Sequence, residues 1–220
     1  INNIIEISIN RMVRKNKILY GNNNLSEVEE VVLRCFFPEG EEMTINKIRE
    51  KCGYSYERVH TALKNLEKKK IVYLKKIGKT LVYKPDFNSL YLKRAFYHYI
   101  TERLIEFANK RQIIFNAIKT ASQEIFGITI LFGSYSKGNE TKNSDLDLMI
   151  ISDSEKQAQS QINDIKLKYG FDLAPAFIKK TEFPKIKEEN LELWKDLKNY
   201  AIVFNGVDLY YYWMYQNEKN

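Results

Sequence analysis

The sequence is poor in residues that crosslink or interrupt a chain, since its 220 residues include only two cysteines, four prolines and nine glycines. Cys35 and Cys52 provide neither a disulfide framework nor the paired spacing of a zinc site. The low proline and glycine content excludes collagen-like and low-complexity chains. No apolar run approaches the roughly 20 residues of a membrane-spanning helix, and the first residues lack the basic and apolar stretches of a signal peptide. We therefore expect a cytoplasmic protein that does not enter a membrane.

The residues that are present indicate a folded, basic protein. Hydrophobic residues make up 44% of the chain, which is too many for a disordered protein. The net charge of +7 is concentrated in residues 1–90, which carry 17 Lys and Arg against 11 Asp and Glu, whereas residues 91–220 carry 18 against 17. This asymmetry indicates either a polyanionic partner for the first half or a lysine-rich amino-acid usage that reflects genome composition.

The first half has the pattern of three helices followed by a hairpin. The predicted elements are a helix from residue 25 to about 37, helices over 45–52 and 56–70, strands over 71–74 and 81–83, and a basic turn over 75–79 between the strands. Thr44 and Ser55 are suitable N-cap residues for the second and third helices, and Gly53 follows the second. This order resembles the winged-helix domains of prokaryotic regulators over roughly residues 25–86.

The resemblance to a winged helix implies a nucleic-acid interface. The third helix would enter the major groove of DNA, and lysines of the hairpin would neutralise phosphates. The residues predicted for these roles are Tyr56, Arg58, His60, Thr61, Lys64 and Asn65 on the helix and Lys75, Lys76 and Lys79 on the wing. Winged helices also dock proteins, and Glu57 and Glu67 interrupt the basic face, so a module that contacts protein or RNA is the alternative.

Residues 88–122 have the apolar periodicity of one long helical stretch. Its apolar stripe includes Leu92, Phe96, Ile100 and Leu104. We expect this stretch to connect two domains and to provide contacts for a homodimer. His98 is expected to belong to the same packing, and the aromatic residues are expected in the core or a dimer contact rather than as a platform for bases.

The second half contains a motif with chemical meaning. An apolar segment over 128–132 precedes Gly133 and Ser134, ten residues follow, and Asp145 and Asp147 then open a second apolar segment. Residues two apart in a strand point to the same face, so the two carboxylates converge. Paired carboxylates repel each other unless a cation lies between them, and hard oxygen ligands of this kind suit Mg²⁺. Gly133, which follows the first apolar segment, allows the backbone to approach a phosphate closely.

This spacing resembles that of the nucleotidyltransferases of the DNA polymerase β superfamily, especially the small prokaryotic group called minimal nucleotidyltransferases, over roughly residues 110–215. The resemblance implies that Gly133 and Ser134 hold the β- and γ-phosphates of a nucleoside triphosphate. It also implies that Asp145 and Asp147 bind two Mg²⁺ ions, which Mn²⁺ can replace. A third carboxylate on a later strand would complete the metal site and help to activate the attacking hydroxyl.

The third carboxylate is the least defined part of this site. Asp172 precedes an apolar segment with the pattern of a strand, in which Pro175 favours an edge position or a strand end. Asp153 and Asp164 are rivals, but they fit a turn and a solvent-facing helix better. The family often has an arginine in the turn after Gly-Ser, where this chain has Lys137. We expect Lys137 to offset the charge of the triphosphate, although only as a point charge.

Other chemistries lack their residues in this half of the chain. Both histidines, His60 and His98, lie in the first half, so Ser–His and Cys–His nucleophilic schemes have no base there. The sequence also lacks a Walker-type phosphate-binding loop and the Cys and His spacing of a zinc site. Nucleotidyl transfer is therefore the chemistry that the motif favours.

The end of the chain has the pattern of a hairpin. Asn205 and Gly206 lie between two apolar runs, as in a tight turn. We therefore predict strands over 201–204 and 207–213. The aromatic residues over 210–213 are expected in the core or in an interface rather than stacked on a base.

The sequence thus predicts an α+β protein with a winged helix-turn-helix domain and a small polymerase-β-like nucleotidyltransferase domain, whose mixed sheet has flanking helices. The predicted divisions are an N-terminal segment over 1–24, the winged helix over 25–87, a helical connector over 88–122 and the transferase over 123–220. The leading function is Mg²⁺-dependent transfer of a nucleoside monophosphate from a nucleoside triphosphate, most simply ATP, with release of pyrophosphate. The acceptor can be a protein, an RNA end or a small molecule. The alternatives are a DNA-binding transcriptional regulator that only senses nucleotide and an antitoxin-like protein adenylyltransferase.

Overall fold

A computed structural model describes residues 24–217, so the predicted N-terminal segment over 1–24 lies outside the described residues except for Asn24. The elements of the first half are α1 (Glu27–Arg34), α2 (Ile45–Cys52), α3 (Tyr56–Lys68), β1 (Val72–Ile77), β2 (Thr80–Pro85), α4 (Leu90–Lys110) and α5 (Gln112–Glu124). Those of the second half are β3 (Ile128–Leu131), α6 (Gly133–Lys137), β4 (Leu146–Ile151), α7 (Glu155–Tyr169), β5 (Leu173–Ile178), a 3₁₀ turn (Phe183–Lys185), α8 (Ile186–Glu189), α9 (Leu191–Tyr200), β6 (Ile202–Asn205), α10 (Val207–Tyr211) and a π-helical turn (Tyr212–Gln216). None of the helices described is both long and apolar enough to cross a membrane.

The first three helices form the predicted helix-turn-helix. Ser26, Thr44 and Ser55 cap α1, α2 and α3, and each side chain accepts a hydrogen bond from the backbone N–H three residues further on. Gly53 ends α2 in the left-handed conformation, with a φ of 71°. The inward face of α3 is the predicted one and consists of Val59, Ala62, Leu63 and Leu66.

The hairpin that follows has longer strands and a shorter turn than predicted. β1 and β2 pair antiparallel along their full lengths, so that only Gly78 and Lys79 remain as the turn. Gly78 has a φ of 60°, which suits a tight two-residue turn. The predicted turn over 75–79 is therefore wrong, since Lys75 and Lys76 lie within β1.

The connector consists of two helices rather than the single stretch predicted. α4 and α5 are separated at Arg111, whose φ of −143° and ψ of 56° are not helical. No glycine or proline marks this break in the sequence, and the Arg111 side chain instead pairs with Glu140, far along the chain. The prediction for His98 is also wrong, because His98 is exposed and contacts Arg34 and Glu102 instead of packing in the core.

The second half is built on a four-stranded mixed sheet with the strand order β5-β4-β3-β6. β3 pairs antiparallel with β4 and β6, whereas β4 pairs parallel with β5. Apolar side chains of α5 and α7 pack against this sheet in a common core. Pro175 lies in β5, an edge strand, as predicted, and the α+β fold class is confirmed.

Of the hairpin predicted for the end of the chain, the first strand is present as β6, but the second strand is wrong. The chain after Gly206 forms α10 and the π-helical turn. The side-chain amide of Asn205 does not shape a hairpin turn, because it bonds to the backbone of β3 and of the end of α5. The buried residues Tyr210, Tyr211, Met214 and Tyr215 recur at helical spacing rather than at the alternate positions of a strand.

This C-terminal helix joins both halves of the molecule in one core. We call the aromatic junction the cluster of Phe37, Phe87, Phe96, Tyr99, Tyr210, Tyr211 and Tyr215. The Tyr211 hydroxyl donates to the carbonyl of Phe87 (2.9 Å), and the Tyr215 hydroxyl donates to that of Pro38 (2.8 Å). The expected core packing is confirmed for Tyr210, Tyr211 and Trp213, which are all buried, whereas Tyr212 is exposed.

Candidate active site

The candidate site begins where β3 passes into α6. All four residues of β3 are buried, and the N–H of Phe132 then donates to the carbonyl of Asp147 on the neighbouring strand (3.0 Å). Gly133 opens α6 with a φ of 68°, and Ser134 follows it. The short helix ends at Gly138, which is also left-handed. The Gly-Ser pair therefore stands directly beside the strand that carries the carboxylates.

Gly133 approaches Asp147 so closely that no side chain fits between them. A Cβ atom at position 133 would lie 2.0 Å from Oδ2 of Asp147 and 2.8 Å from its Cγ. The positive φ disfavours any other residue as well. The two motif segments are thus in direct contact, and both the backbone conformation and the available space require glycine.

Asp145 and Asp147 stand at the start of β4. Leu146 and Leu148 are buried in the core shared with α5 and α7, so both aspartates lie on the other face of the strand, which carries the buried Met149 and Ile151 further along. Burial, and then the negative charge of Asp145, raise the pKa of Asp147 above its ordinary value. Two adjacent carboxylates that repel each other are a donor set of hard oxygen atoms, and such a set fits a divalent cation such as Mg²⁺.

Asp172 comes from the adjoining strand. Parallel pairing places Leu173 opposite Leu146, so Asp172 lies next to Asp145 where the two strands begin. The carbonyl of Asp172 accepts a hydrogen bond from the N–H of Leu146 (2.9 Å). Its side chain is exposed. The described part of the chain contains no group of three or more Asp, Glu, His or Cys side chains arranged to hold a metal ion. The role of Asp172 as the third ligand therefore stays a prediction.

The two rival carboxylates lie elsewhere in the fold. Asp153 follows the end of β4 that is opposite to Asp145, and it pairs with Lys180 at 3.1 Å. Asp164 is exposed on α7. Neither residue therefore stands at the strand end that carries the paired carboxylates.

Lys137 is engaged with protein groups in this structure. Its Nζ atom lies 2.5 Å from Oδ2 of Asp196 on α9 and 5.4 Å from the centre of the Tyr200 ring. To offset the charge of a triphosphate, the ammonium group would have to exchange this carboxylate for phosphate oxygens. Its role in nucleotide binding stays a prediction.

The structure contains one ion pair beside the site that is absent from the predictions made from the sequence. Glu140 lies in the turn between Ser134 and Asp145, and its Oε1 atom accepts hydrogen bonds from Nε (2.7 Å) and Nη2 of Arg111. One signal for this pair was present in the sequence. An acidic residue in a turn expected to face phosphate requires a cationic partner from another part of the chain.

The outward surface of α3 is the candidate nucleic-acid interface. Tyr56, Arg58, Thr61 and Lys64 are exposed, and His60 and Asn65 are partly exposed. The rings of Tyr56 and His60 stack with a centroid distance of 5.6 Å, and the guanidinium of Arg58 lies 4.2 Å from the centre of the Tyr54 ring. The predicted residues thus share one surface, and their contact with DNA stays a prediction.

The three wing lysines have different surroundings. The Nζ atom of Lys75 lies 2.9 Å from Oε1 of Glu42. Lys76 and Lys79 are exposed, and neither forms an ion pair with another residue in the range 24–217. Ile77 and Leu81, each about half exposed, add apolar surface at the end of the hairpin. Lys76 and Lys79 are therefore the wing charges available to a polyanion.

Comparisons with protein families find one match in each half of the chain. Residues 114–203 match the model described as Nucleotidyltransferase domain, and this span contains the Gly-Ser pair and Asp145, Asp147 and Asp172. Residues 25–124 match the model described as Penicillinase repressor, and this span contains the helix-turn-helix, the hairpin and the connector. No curated protein and no solved structure matches the chain significantly.

Proposed function

Because the chain joins a repressor-like winged-helix domain to a nucleotidyltransferase domain, we propose that it transfers a nucleoside monophosphate from a nucleoside triphosphate, most simply ATP, to an acceptor. The observation that supports this proposal is the direct contact of Gly133 with the Asp147 carboxylate, beside Asp145. The backbone at Gly133, which a phosphate can approach closely, therefore lies beside two carboxylates that can bind a metal ion. Phosphoryl-transfer chemistry depends mainly on this kind of positioning and charge compensation.

In the proposed reaction an acceptor oxygen forms a bond to the α-phosphorus, and the bond from that phosphorus to the bridging oxygen breaks, so that pyrophosphate leaves. Asp145 and Asp147 would hold Mg²⁺, with Asp172 at the adjoining strand position. When bound, Mg²⁺ supplies positive charge that offsets the charge on the phosphate oxygens. Ser134 offers a hydroxyl donor to the phosphates, and we assign to a carboxylate oxygen of Asp172 the acceptance of the acceptor's proton.

We assign the winged helix the selection of a nucleic acid or of a partner. The outward residues of α3 are exposed or partly exposed and are available to base edges, and Lys76 and Lys79 are available to phosphates. The match to a repressor family over residues 25–124 supports duplex DNA as the ligand. The same observation favours the second candidate function, a DNA-binding regulator whose transferase domain binds nucleotide without turnover.

Label transfer tests the leading proposal. The chain is incubated with Mg²⁺, each α-phosphate-labelled nucleoside triphosphate and a lysate that supplies acceptors, and pyrophosphate release is measured in parallel. Transfer is expected for the wild type and for Asp153→Asn, a control carboxylate that pairs with Lys180. Transfer should fall to background in Asp147→Asn, because one of the paired ligands is lost.

The possible outcomes separate the two candidates. Unchanged transfer in Asp147→Asn would contradict the assignment of the metal site. If no triphosphate gives transfer while ATP changes the affinity of the chain for duplex DNA, the regulator is favoured. The chemical nature of a labelled product would name the acceptor class.

A further inference from the structure

We propose that Arg111 and Glu140 are a positioning pair for nucleotidyl transfer. They hold the turn that separates Gly133 and Ser134, on one side of the site, from the paired aspartates on the other. This inference rests on the proposed function, and it goes beyond it by assigning a role to two residues outside the motif.

Contacts place the Arg111 guanidinium against both the turn and α6. Two of its nitrogen atoms donate to the same Glu140 oxygen, and the two side chains are only 18% and 19% exposed. The guanidinium also lies 5.9 Å from the centre of the Tyr135 ring, in α6, and 5.7 Å from that of Phe107, in α4. A single side chain at the break between α4 and α5 thus contacts both α6 and the turn that follows it.

Within the turn, Glu140 lies between two locally bonded segments. On one side, the N–H of Asn139 donates to the carbonyl of Ser134 (3.2 Å). On the other side, Thr141 and Ser144 bond to each other immediately before Asp145, with the N–H of Thr141 2.9 Å from Oγ of Ser144. Local bonds define the shape of each segment, and the pair with Arg111 fixes the turn against the connector.

The negative charge of the Glu140 carboxylate is compensated by Arg111. Its Oε2 atom is buried and has no hydrogen-bond partner in the described part of the chain. Burial alone would raise the pKa of Glu140, but hydrogen bonds from Arg111 and from the backbone N–H of Glu140, together with the charge of Arg111, hold it below its ordinary value. Removal of Arg111 would leave a buried charge without a partner, which is more damaging than removal of both groups. The carboxylate would then have to turn towards water and move the turn with it.

The experiment compares Arg111→Met, Glu140→Leu and the double variant with Lys110→Met. Lys110 is the neighbouring residue, and its exposed pair with Glu106 (2.6 Å) joins two residues of α4, so it does not hold the turn. Three quantities are measured on the full chain: the thermal midpoint, the rate of transfer, and the affinity for ATP with and without Mg²⁺.

A positioning role predicts a distinct pattern. Arg111→Met should lower the transfer rate by about 10- to 100-fold, since a displacement of about 1 Å at reacting groups has this effect. The factor by which Mg²⁺ strengthens ATP binding should fall about tenfold, while the affinity for metal-free ATP is unchanged. Only the Mg²⁺–ATP complex must contact the Gly-Ser pair and the paired aspartates at the same time, so only its binding depends on the distance between them. The double variant should recover the thermal midpoint but neither of these losses, and Lys110→Met should match the wild type.

Two results would overturn the inference: recovery of both transfer and Mg²⁺-dependent binding in the double variant, or wild-type values of both in Arg111→Met. If the wild type transfers nothing, the proposed function fails, and the inference is decided by the effect of Mg²⁺ on ATP binding alone. A loss of that effect in Arg111→Met supports the positioning role, and an unchanged effect refutes it. A wild type that binds no Mg²⁺–ATP at all refutes both proposals.

Discussion

Helix α3 of the helix-turn-helix and the short helix α6 are held in place by different contacts. α3 buries four side chains beneath it, and its outward residues contact near neighbours, as Arg58 lies over Tyr54. α6 has five residues, of which none is fully buried. Its position depends instead on close contacts with residues far along the chain, such as Gly133 with Asp147 and Lys137 with Asp196.

This difference indicates where each half tolerates change. Outward residues of α3 can be replaced without loss of packing, so a binding surface there can change while the fold persists. At the start of α6, Gly133 has a left-handed backbone and lies so close to Asp147 that no side chain fits. A substitution at Gly133 would therefore change both the backbone conformation and the position of the Asp147 carboxylate. The two regions nevertheless share the aromatic junction, and the predictions below test how far they are independent.

The largest effect is expected at the aromatic junction. A single substitution there should destabilise both halves of the molecule together, although α3 and α6 are held in place by different contacts. Tyr211 is fully buried, and its ring lies 5.0 Å from that of Phe96 and 5.5 Å from that of Tyr215. Tyr211→Ala should lower the free energy of unfolding by about 3–5 kcal/mol, because a large aromatic side chain leaves a cavity. Urea unfolding followed by separate probes in each half should show one transition that shifts as a whole.

Two control variants define the origin of this effect. Tyr211→Phe removes only the bond to the Phe87 carbonyl, which also accepts from Gln216 (2.8 Å), so a loss of about 1 kcal/mol is expected. Tyr212→Ala, at an exposed position, should change stability by less than about 0.5 kcal/mol. Two separate transitions, with only the second half affected by Tyr211→Ala, would show that the junction does not couple the halves.

The second prediction compares two glycines that have similar φ values but different surroundings. Gly53 and Gly133 have φ values of 71° and 68°, but a Cβ atom at Gly53 would meet no atom within 4 Å. Gly53→Ala should therefore cost only the left-handed strain, about 1–2 kcal/mol. Gly133→Ala adds a collision with Asp147 and should also reduce transfer by about 100-fold.

Urea unfolding and label transfer, measured on both glycine variants, distinguish these contributions. Transfer by Gly53→Ala should equal that of the wild type at the same folded fraction. If Gly133→Ala retains transfer, the Asp147 carboxylate does not need the position that the glycine allows, and the account of the start of α6 is wrong.

Much of the fold could be predicted because local chemistry determines it. The caps Thr44 and Ser55, the left-handed Gly53 and the alternation of Asp145 with buried leucines each act within a few residues. The resemblance to two known families then provided the roles that we propose for these segments. Both families are matched in the expected order along the chain.

The errors lie where distant contacts override local signals. The pair Asn205 and Gly206 is typical of a hairpin turn, but the Asn205 amide bonds to the ends of α5 and β3, and the following aromatics pack as a helix on the N-terminal half. Arg111 likewise leaves its helix without any local breaker and pairs with Glu140. No pattern within a short window contains the information about such partners.

The smallest effect is expected at the wing, where three lysines with different surroundings can be compared. If the chain binds duplex DNA, each lysine that neutralises a phosphate contributes about one unit to the slope of log affinity against log salt concentration. Lys76→Ala and Lys79→Ala should each lower the slope by about one unit. Lys75→Ala should lower it less, because Glu42 already lies 2.9 Å from Nζ of Lys75.

Titration of a labelled duplex at several salt concentrations measures these slopes, and Glu42→Gln is the matched control. Removal of the Glu42 charge should release Lys75, so that the slope rises in Glu42→Gln and Lys75→Ala then reduces it as much as the other two changes do. Equal slopes for all three lysine variants in the presence of Glu42 would show that the ion pair does not limit Lys75. An unchanged slope in every variant would remove the wing from the interface and leave the surface of α3 as the only region of this half proposed to contact DNA.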